Sequence, residues 1–366
     1  MDQFRYVSYA QEIIFAPGSL AQLTELLPGM GWIRLMLCTN HSMRAGGQVD
    51  AVKSILGEYL VAVFDQVRPH VQRVQVDEAL ALAQEKNVNA VIGLGGGSPI
   101  GMAKALAYIL HLPIAAVPTT YAGSEMTATY GITYADEDRP RKITYQSPLI
   151  VPRFVVYDSE LTLNLPPQLT ASTGINALAH CLEALYSIKR NPLSTAAATS
   201  GVRHIANSLL TCYLDGKDLE ARTEMLLGAH LAGLSLASVS MGLHHGLCHV
   251  LGGTLNIPHG FANSIILPHA IRFNADATAT QLIPAAAAMG VPVKRVNPTI
   301  VVEALVQKIF HLISQMNLPR RLRDAGVAED DLSALAKLGF ENRTVQNNPK
   351  PITSVDQIEE LFRAAW

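Results

Sequence analysis

Charged side chains are scarce in this sequence, making up 16% of its 366 residues. Lys and Arg number 28 against 30 Asp and Glu, a formal net charge of −2, and no basic tract could neutralise a row of phosphates, so no nucleic-acid partner is expected. Aromatic residues are also few, at 6%, while a 49% hydrophobic content rests mainly on Ala, Leu, Val and Ile. That balance argues against all-β architectures and for helices packed on each other or on a parallel sheet. The four cysteines, Cys38, Cys181, Cys212 and Cys248, show no CxxC spacing, and no hydrophobic leader opens the chain. Both features fit a reducing cytoplasm. The length exceeds what one core serves, so two domains are expected.

Charge is missing altogether from Met225 to Ile271, a stretch long enough to raise the question of a membrane segment. It holds six of the 12 histidines, together with Asn256, Pro258 and Gly252-Gly253. Such groups are costly in lipid and common around an active site, so the stretch reads as the interior of an enzyme, with no membrane partner.

The first half alternates strand and helix patterns. Strand-like runs fall at Glu12 to Phe15, Leu35 to Cys38, Val61 to Phe64, Ala90 to Leu94, Ile114 to Val117 and Phe154 to Tyr157. Helical runs lie between them, with Ser19 and Asp77 as candidate N-caps. This order predicts a Rossmann-like, doubly wound parallel sheet over residues 1–158. From Pro166 onward the pattern is helical and rich in Ala, which predicts an all-α domain over 159–366.

Three pieces of the first half fall where parallel strands end: Asn40, the turn Gly95-Gly96-Gly97-Ser98, and the loop Thr119 to Glu125. A glycine turn opening a helix lets backbone N–H groups approach a pyrophosphate; it can also be no more than a tight connection. Convergence of all three on one crevice favours a dinucleotide. In the second half Asn176 and His180, and likewise His245 and His249, are four apart and share helix faces, with His244 about 100° away. His259 follows in a Pro258-His259-Gly260 turn. Isolated histidines (His70, His111, His204, His230, His269 and His311) read as hydrogen-bonded core residues. The cluster admits a metal site, although Asn176 offers an amide where a carboxylate would bind better. Three imidazoles alone can hold zinc, so that reading stays open.

These motifs resemble the iron-containing alcohol dehydrogenase superfamily, most closely its maleylacetate reductase branch. The resemblance spans Phe15 to Leu20 (FAPGSL), Gly95 to Lys104 (GGGSPIGMAK), Pro118 to Thr127 (PTTYAGSEMT), Thr173 to Tyr186 (TGINALAHCLEALY), Met241 to Gly253 (MGLHHGLCHVLGG) and Asn348 to Pro351 (NPKP). It implies that Gly95, Gly96, Gly97 and Ser98 bind the pyrophosphate, with Thr119, Thr120 and Ser124 nearer the ribose and nicotinamide. Asn40 stands where NAD-specific relatives place Asp, which implies use of both NADH and NADPH. The metal ligands of the superfamily fall on Asn176, His180, His245 and His259. The Asn, Gly101 in place of an Asp, and the short PTTYAGSE loop all match the branch that works without metal.

The activity implied is reduction of the enone double bond of maleylacetate, a dicarboxylate, to 3-oxoadipate in aromatic-compound degradation, by a cytoplasmic homodimer. His245, His249 and His259 would stabilise the enolate oxygen and deliver the proton, supported by His180. Asn176 would orient His180 or the substrate, and Tyr121 is a further donor near the nicotinamide. Two departures bear on substrate. Gly246 replaces a lysine common in this branch, and the charged segment Tyr134 to Gln146, with Asp136, Glu137, Asp138, Arg139, Arg141 and Lys142, is long. The alternatives are a metal-dependent alcohol or aldehyde dehydrogenase using Asn176, His180, His245 and His259, and a dinucleotide-binding module without turnover.

Overall fold

The computed structural model of the chain describes residues 3–134 and 141–366. It divides into two compact units, one of Ser8–Leu165 and the other of Pro166–Trp366 with the residues up to Val7. The division falls after Leu165 instead of at Asp158 because Asp158 is tied into the first unit. Its carboxylate accepts the N–H groups of Gly18 at 2.9 Å, Leu20 at 3.0 Å and Glu160 at 3.1 Å.

In the first unit the strands are β1 (Glu12–Phe15), β2 (Leu35–Cys38), β3 (Leu60–Phe64), β4 (Ala90–Gly95), β5 (Ile114–Pro118), β6 (Thr129–Tyr134), β7 (Arg141–Gln146) and β8 (Phe154–Tyr157). Six of them form one sheet ordered β1-β8-β5-β4-β2-β3, with every pairing parallel. Strands β2, β4, β5 and β8 are apolar and buried throughout because helices cover both faces. Successive side chains go to opposite cores. Leu35 and Leu37 pack with Leu20, Leu23 and Val52 of the helices Leu20–Leu26 and Gln48–Leu56. Met36 and Cys38 pack with Val76, Met102 and Leu106 of Arg73–Glu85 and Gly97–Leu110.

Two local expectations change. The Ser19 side chain makes no cap bond; Asp158, distant in sequence, takes the N–H groups at that helix start. Asp77 does not cap a helix, which begins at Arg73, and instead pairs with the Arg73 guanidinium at 2.6 Å across one turn. The charged segment after Tyr134 is in part a strand, since Arg141–Gln146 pairs antiparallel with β6. Asp136, Glu137, Asp138 and Arg139 lie outside the described residues.

The second unit is helical: Pro167–Tyr186, Pro192–Leu214, Leu219–Ser238, Leu243–Leu255, His259–Ala288, Pro298–Gln315, Leu332–Glu341 and Val355–Ala365 are its α-helices among the described residues. The uncharged stretch runs from inside Leu219–Ser238 into His259–Ala288, and much of it is buried in this unit. No single described helix is long and apolar enough to cross a membrane; Leu219–Ser238 and Leu243–Leu255 pass only as a pair bent by 97°. Asn256, in the left-handed region at φ 54°, ends one helix, and Pro258 opens the next. His259 is therefore the first residue of a 30-residue helix and not part of an isolated turn.

Candidate active site

The glycine turn follows β4, whose neighbours are β5 on one side and β2 on the other, the point where strand order reverses. Ligands of open parallel sheets bind outside the carboxyl ends of strands at such a point. Gly95 and Pro118 are register partners, as are Cys38 and Gly93, so the turn, Asn40 and the Thr119 loop share one edge of the sheet. Gly95 has φ +135°, and a Cβ there would stand 2.8 Å from Pro99 Cγ. Nothing lies within 4 Å of the place a Cβ on Gly97 would take, and no side chain caps the N-terminus of Gly97–Leu110. Its first N–H groups are thus left without a capping side chain, an arrangement that suits an anion such as a dinucleotide pyrophosphate.

Asn40 caps the helix His41–Ala45. Its Oδ1 accepts from Met43 N–H at 3.2 Å and from Ser42 Oγ at 2.7 Å. With the oxygen engaged, the amide nitrogen is the group it offers to a ribose. The N–H of Thr119 donates to Gly95 O at 3.0 Å, joining the second loop to the first. Tyr121 is fully buried, and Thr120 and Ser124 are half-buried.

In the helical unit Asn176, His180 and Glu183 occupy one face of Pro167–Tyr186. The structure brings all the expected histidines together. His180 and His245 stack with ring centroids 4.7 Å apart and planes 11° from parallel. His259 lies 6.2 Å and His249 6.5 Å from His245, and the two stack on each other at 5.7 Å. His180 and His245 are buried, whereas His249 and His259 are exposed. Burial holds both His180 and His245 well below the usual imidazole range, and neighbouring imidazoles add to the effect.

Glu183 is the functional residue that sequence reasoning missed. Its Oε2 lies 2.5 Å from His245 Nδ1, and its Oε1 accepts the N–H groups of Gly242 at 2.9 Å and His244 at 3.1 Å. Burial raises its carboxyl above the usual range. A signal was present, because Glu183 is the sole charged residue between Glu160 and Lys189. His244 packs edge-on against His245, and its Nε2 lies 2.7 Å from Asn263 Oδ1.

Four buried polar atoms of this cluster have no hydrogen-bond partner among the described residues: Asn176 Oδ1, His180 Nδ1, His244 Nδ1 and His245 Nε2. Buried polar atoms are rarely left unpaired, and a cluster of them marks a place for a ligand. The donor set does not fit a metal ion. An amide occupies the position of a carboxylate, and no three His, Cys, Asp or Glu side chains among the described residues converge to hold one. Gly246 bears on substrate less than its sequence position suggests. A Cβ there would meet Val345 N at 2.8 Å, so this position packs against the Val345–Asn347 turn.

The first unit offers a glycine turn suited to a pyrophosphate and the second a buried imidazole cluster, and the relatives of the chain make it an NAD(P)H-dependent oxidoreductase. Residues 10–159 match iron-containing alcohol dehydrogenase, and residues 170–366 match the C-terminal part of the Fe-containing alcohol dehydrogenase family. Maleylacetate reductase of Burkholderia cepacia is 35% identical over 366 residues, covering 100% of this chain and 98% of its own. That of Pseudomonas knackmussii is 37% identical over 355 residues, covering 97% and 95%. The crystal structure of maleylacetate reductase from Agrobacterium tumefaciens superposes with a TM-score of 0.90 at 33% identity, covering 100% of this chain and 99% of that one. The chain belongs to the iron-containing alcohol dehydrogenase family.

Proposed function

We propose that the chain reduces the enone double bond of maleylacetate, or of a close unsaturated oxo-dicarboxylate, to 3-oxoadipate with NADH or NADPH and without a metal ion. The names of its relatives support the substrate. The observation that carries the chemistry is the buried, unpartnered set of Asn176 Oδ1, His180 Nδ1 and His245 Nε2, with an amide where a carboxylate ligand would stand.

The nicotinamide supplies the hydride, which adds to the carbon β to the ketone. Charge then moves to the ketone oxygen, and the α-carbon must take a proton. Because Glu183 occupies Nδ1, only His245 Nε2 is left to meet the oxygen. With Glu183 ionised and His245 neutral, Nε2 would carry a lone pair and accept. One additional proton on the pair makes Nε2 a donor, whether that proton sits on Glu183 Oε2 or His245 Nδ1. The raised Glu183 and lowered His245 both favour a protonated carboxyl facing a neutral imidazole. His245 holds the enolate oxygen by a hydrogen bond from Nε2, and the α-carbon then takes the pair's proton as the product ketone forms, leaving Glu183 ionised beside a neutral His245. His180 can donate to the same oxygen, Asn176 orients His180 or the substrate through its amide, and the exposed His249 and His259 connect the buried pair to solvent protons. The Asn40 amide places no negative charge against a 2′-phosphate, which supports use of both nucleotides.

The test is oxidation of NADH and of NADPH by purified protein with maleylacetate, with 3-oxoadipate identified as product. Turnover of simple aldehydes with none of maleylacetate would overturn the reading in favour of an alcohol dehydrogenase.

A further inference from the structure

Lys104 lies on the helix that the glycine turn opens, Gly97–Leu110, and its side chain is fully buried. Its Nζ donates to the carbonyls of Ser124 at 2.6 Å, Thr127 at 2.5 Å and Thr129 at 3.1 Å, and approaches Thr127 Oγ1 at 3.2 Å. All four oxygens belong to the continuation of the Thr119 loop. An ammonium out of water costs several kcal/mol unless its donors are satisfied, and here one loop satisfies them. Within the same loop the buried Glu125 carboxylate accepts from Tyr157 OH at 2.8 Å, and its carbonyl accepts from Gln11 Nε2 at 3.0 Å.

We propose that Lys104 is a positioning residue for the nucleotide, fixing the loop from Thr119 to Thr129 against the glycine turn without touching the nucleotide itself. This rests on reading the glycine turn as the nucleotide site. The geometry supplies the reason. The carbonyls that Lys104 ties lie in the turn Ser124–Met126, at Thr127 and at the first residue of β6, Thr129, so the ammonium joins the turn to the strand across a stretch that has no strand partner of its own. Burial pushes Lys104 down to about 7, and the Glu125 charge opposes the shift. Both loops therefore hang from one helix, so a loss at Lys104 is felt as misplaced Thr119, Thr120 and Ser124, the residues nearer the ribose and nicotinamide in the family resemblance.

Lys104→Met removes the donors at nearly constant length, and Lys104→Gln keeps two of them without charge. In Lys104→Met, the Kd and KM for NADH should rise about tenfold or more, the size of a lost charged hydrogen bond. At saturating NADH, kcat should stay within about twofold on the same basis. Lys104→Gln should fall between, and decides the matter alone if the Met variant does not fold. In the unmodified chain NADH should slow amide hydrogen exchange across residues 119–129. Unchanged NADH affinity in a folded variant, or unchanged exchange on NADH binding, would overturn the role of Lys104. Failure of the unmodified chain to bind NADH would overturn the nucleotide reading together with it.

Discussion

His180 and His245 lie face to face, ring centroids 4.7 Å apart, each with one buried nitrogen that meets no partner among the described residues. Two imidazolium ions could not share that arrangement without solvent, so the stack is neutral at rest, and burial enforces it. What gives the pair direction is Glu183 behind it, which engages Nδ1 of one ring and leaves Nε2 to the ligand.

Replacing Glu183 by Gln tests that arrangement. The amide oxygen can still accept from Gly242 and His244, and its NH2 can donate to His245 Nδ1, so packing is retained. The shared proton is gone, and His245 cannot give up its Nε2 proton without becoming an imidazolate. We expect kcat to fall by about 10²- to 10⁴-fold, the usual contribution of a general acid, with the Kd of NADH unchanged. Steady-state rates beside fluorescence titration of NADH measure both.

Stability should depend on pH with a definite sign. Burial lowers His180, His244 and His245 below the ordinary imidazole value. Below about pH 6.5 the unfolded chain therefore takes up protons that the folded chain does not, and stability is lost as pH falls through that value. Each such proton adds about 1.4 kcal/mol per pH unit to the slope. The raised Glu183 acts in the opposite direction, since it keeps its proton in the folded state at pH values where the unfolded chain has lost it. Urea unfolding from about pH 7.5 to 5 measures it, and His180→Gln should flatten it.

Much of this arrangement is legible in the sequence because it is local. Strands β2, β4, β5 and β8 announce themselves as continuous apolar runs, and Asn176, His180, His245 and His249 by their spacing of four. The features that escape depend on distant partners. Asp158 caps the helix after Gly18 from the end of the neighbouring strand β8, which is distant only in sequence, so neither residue signals the other. Glu183 gains its meaning only when Leu243–Leu255 packs on Pro167–Tyr186 and delivers His245 to it. The β6–β7 ribbon mixes polar and charged side chains with Tyr130 and Ile132, which enter the core of the unit, and neither strand's sequence names the other as its partner.

Cofactor choice is expected to turn on Asn40. Asn40→Asp keeps the helix cap, since a carboxylate accepts from Met43 N–H equally well, but sets a negative charge against a 2′-phosphate. The KM for NADPH should rise about tenfold or more while that for NADH changes little. Initial rates with the two nucleotides decide it.

Asn176→Asp supplies the carboxylate that the donor set lacks. If positions 176, 180, 245 and 259 converge on one ligand, the variant should bind zinc or iron more tightly than the unmodified chain. Metal analysis after dialysis against each ion reads this, and equal content in the two proteins would count against the convergence.

The central claim is that buried hydrogen-bonding groups, and not a metal ion, carry the reduction. The most direct measurement is the maleylacetate-dependent oxidation of NADH by protein stripped with EDTA, with zinc and iron content determined on the same sample. The account expects the full rate at metal contents far below one per chain. A rate that vanishes on stripping and returns with iron or zinc would contradict it.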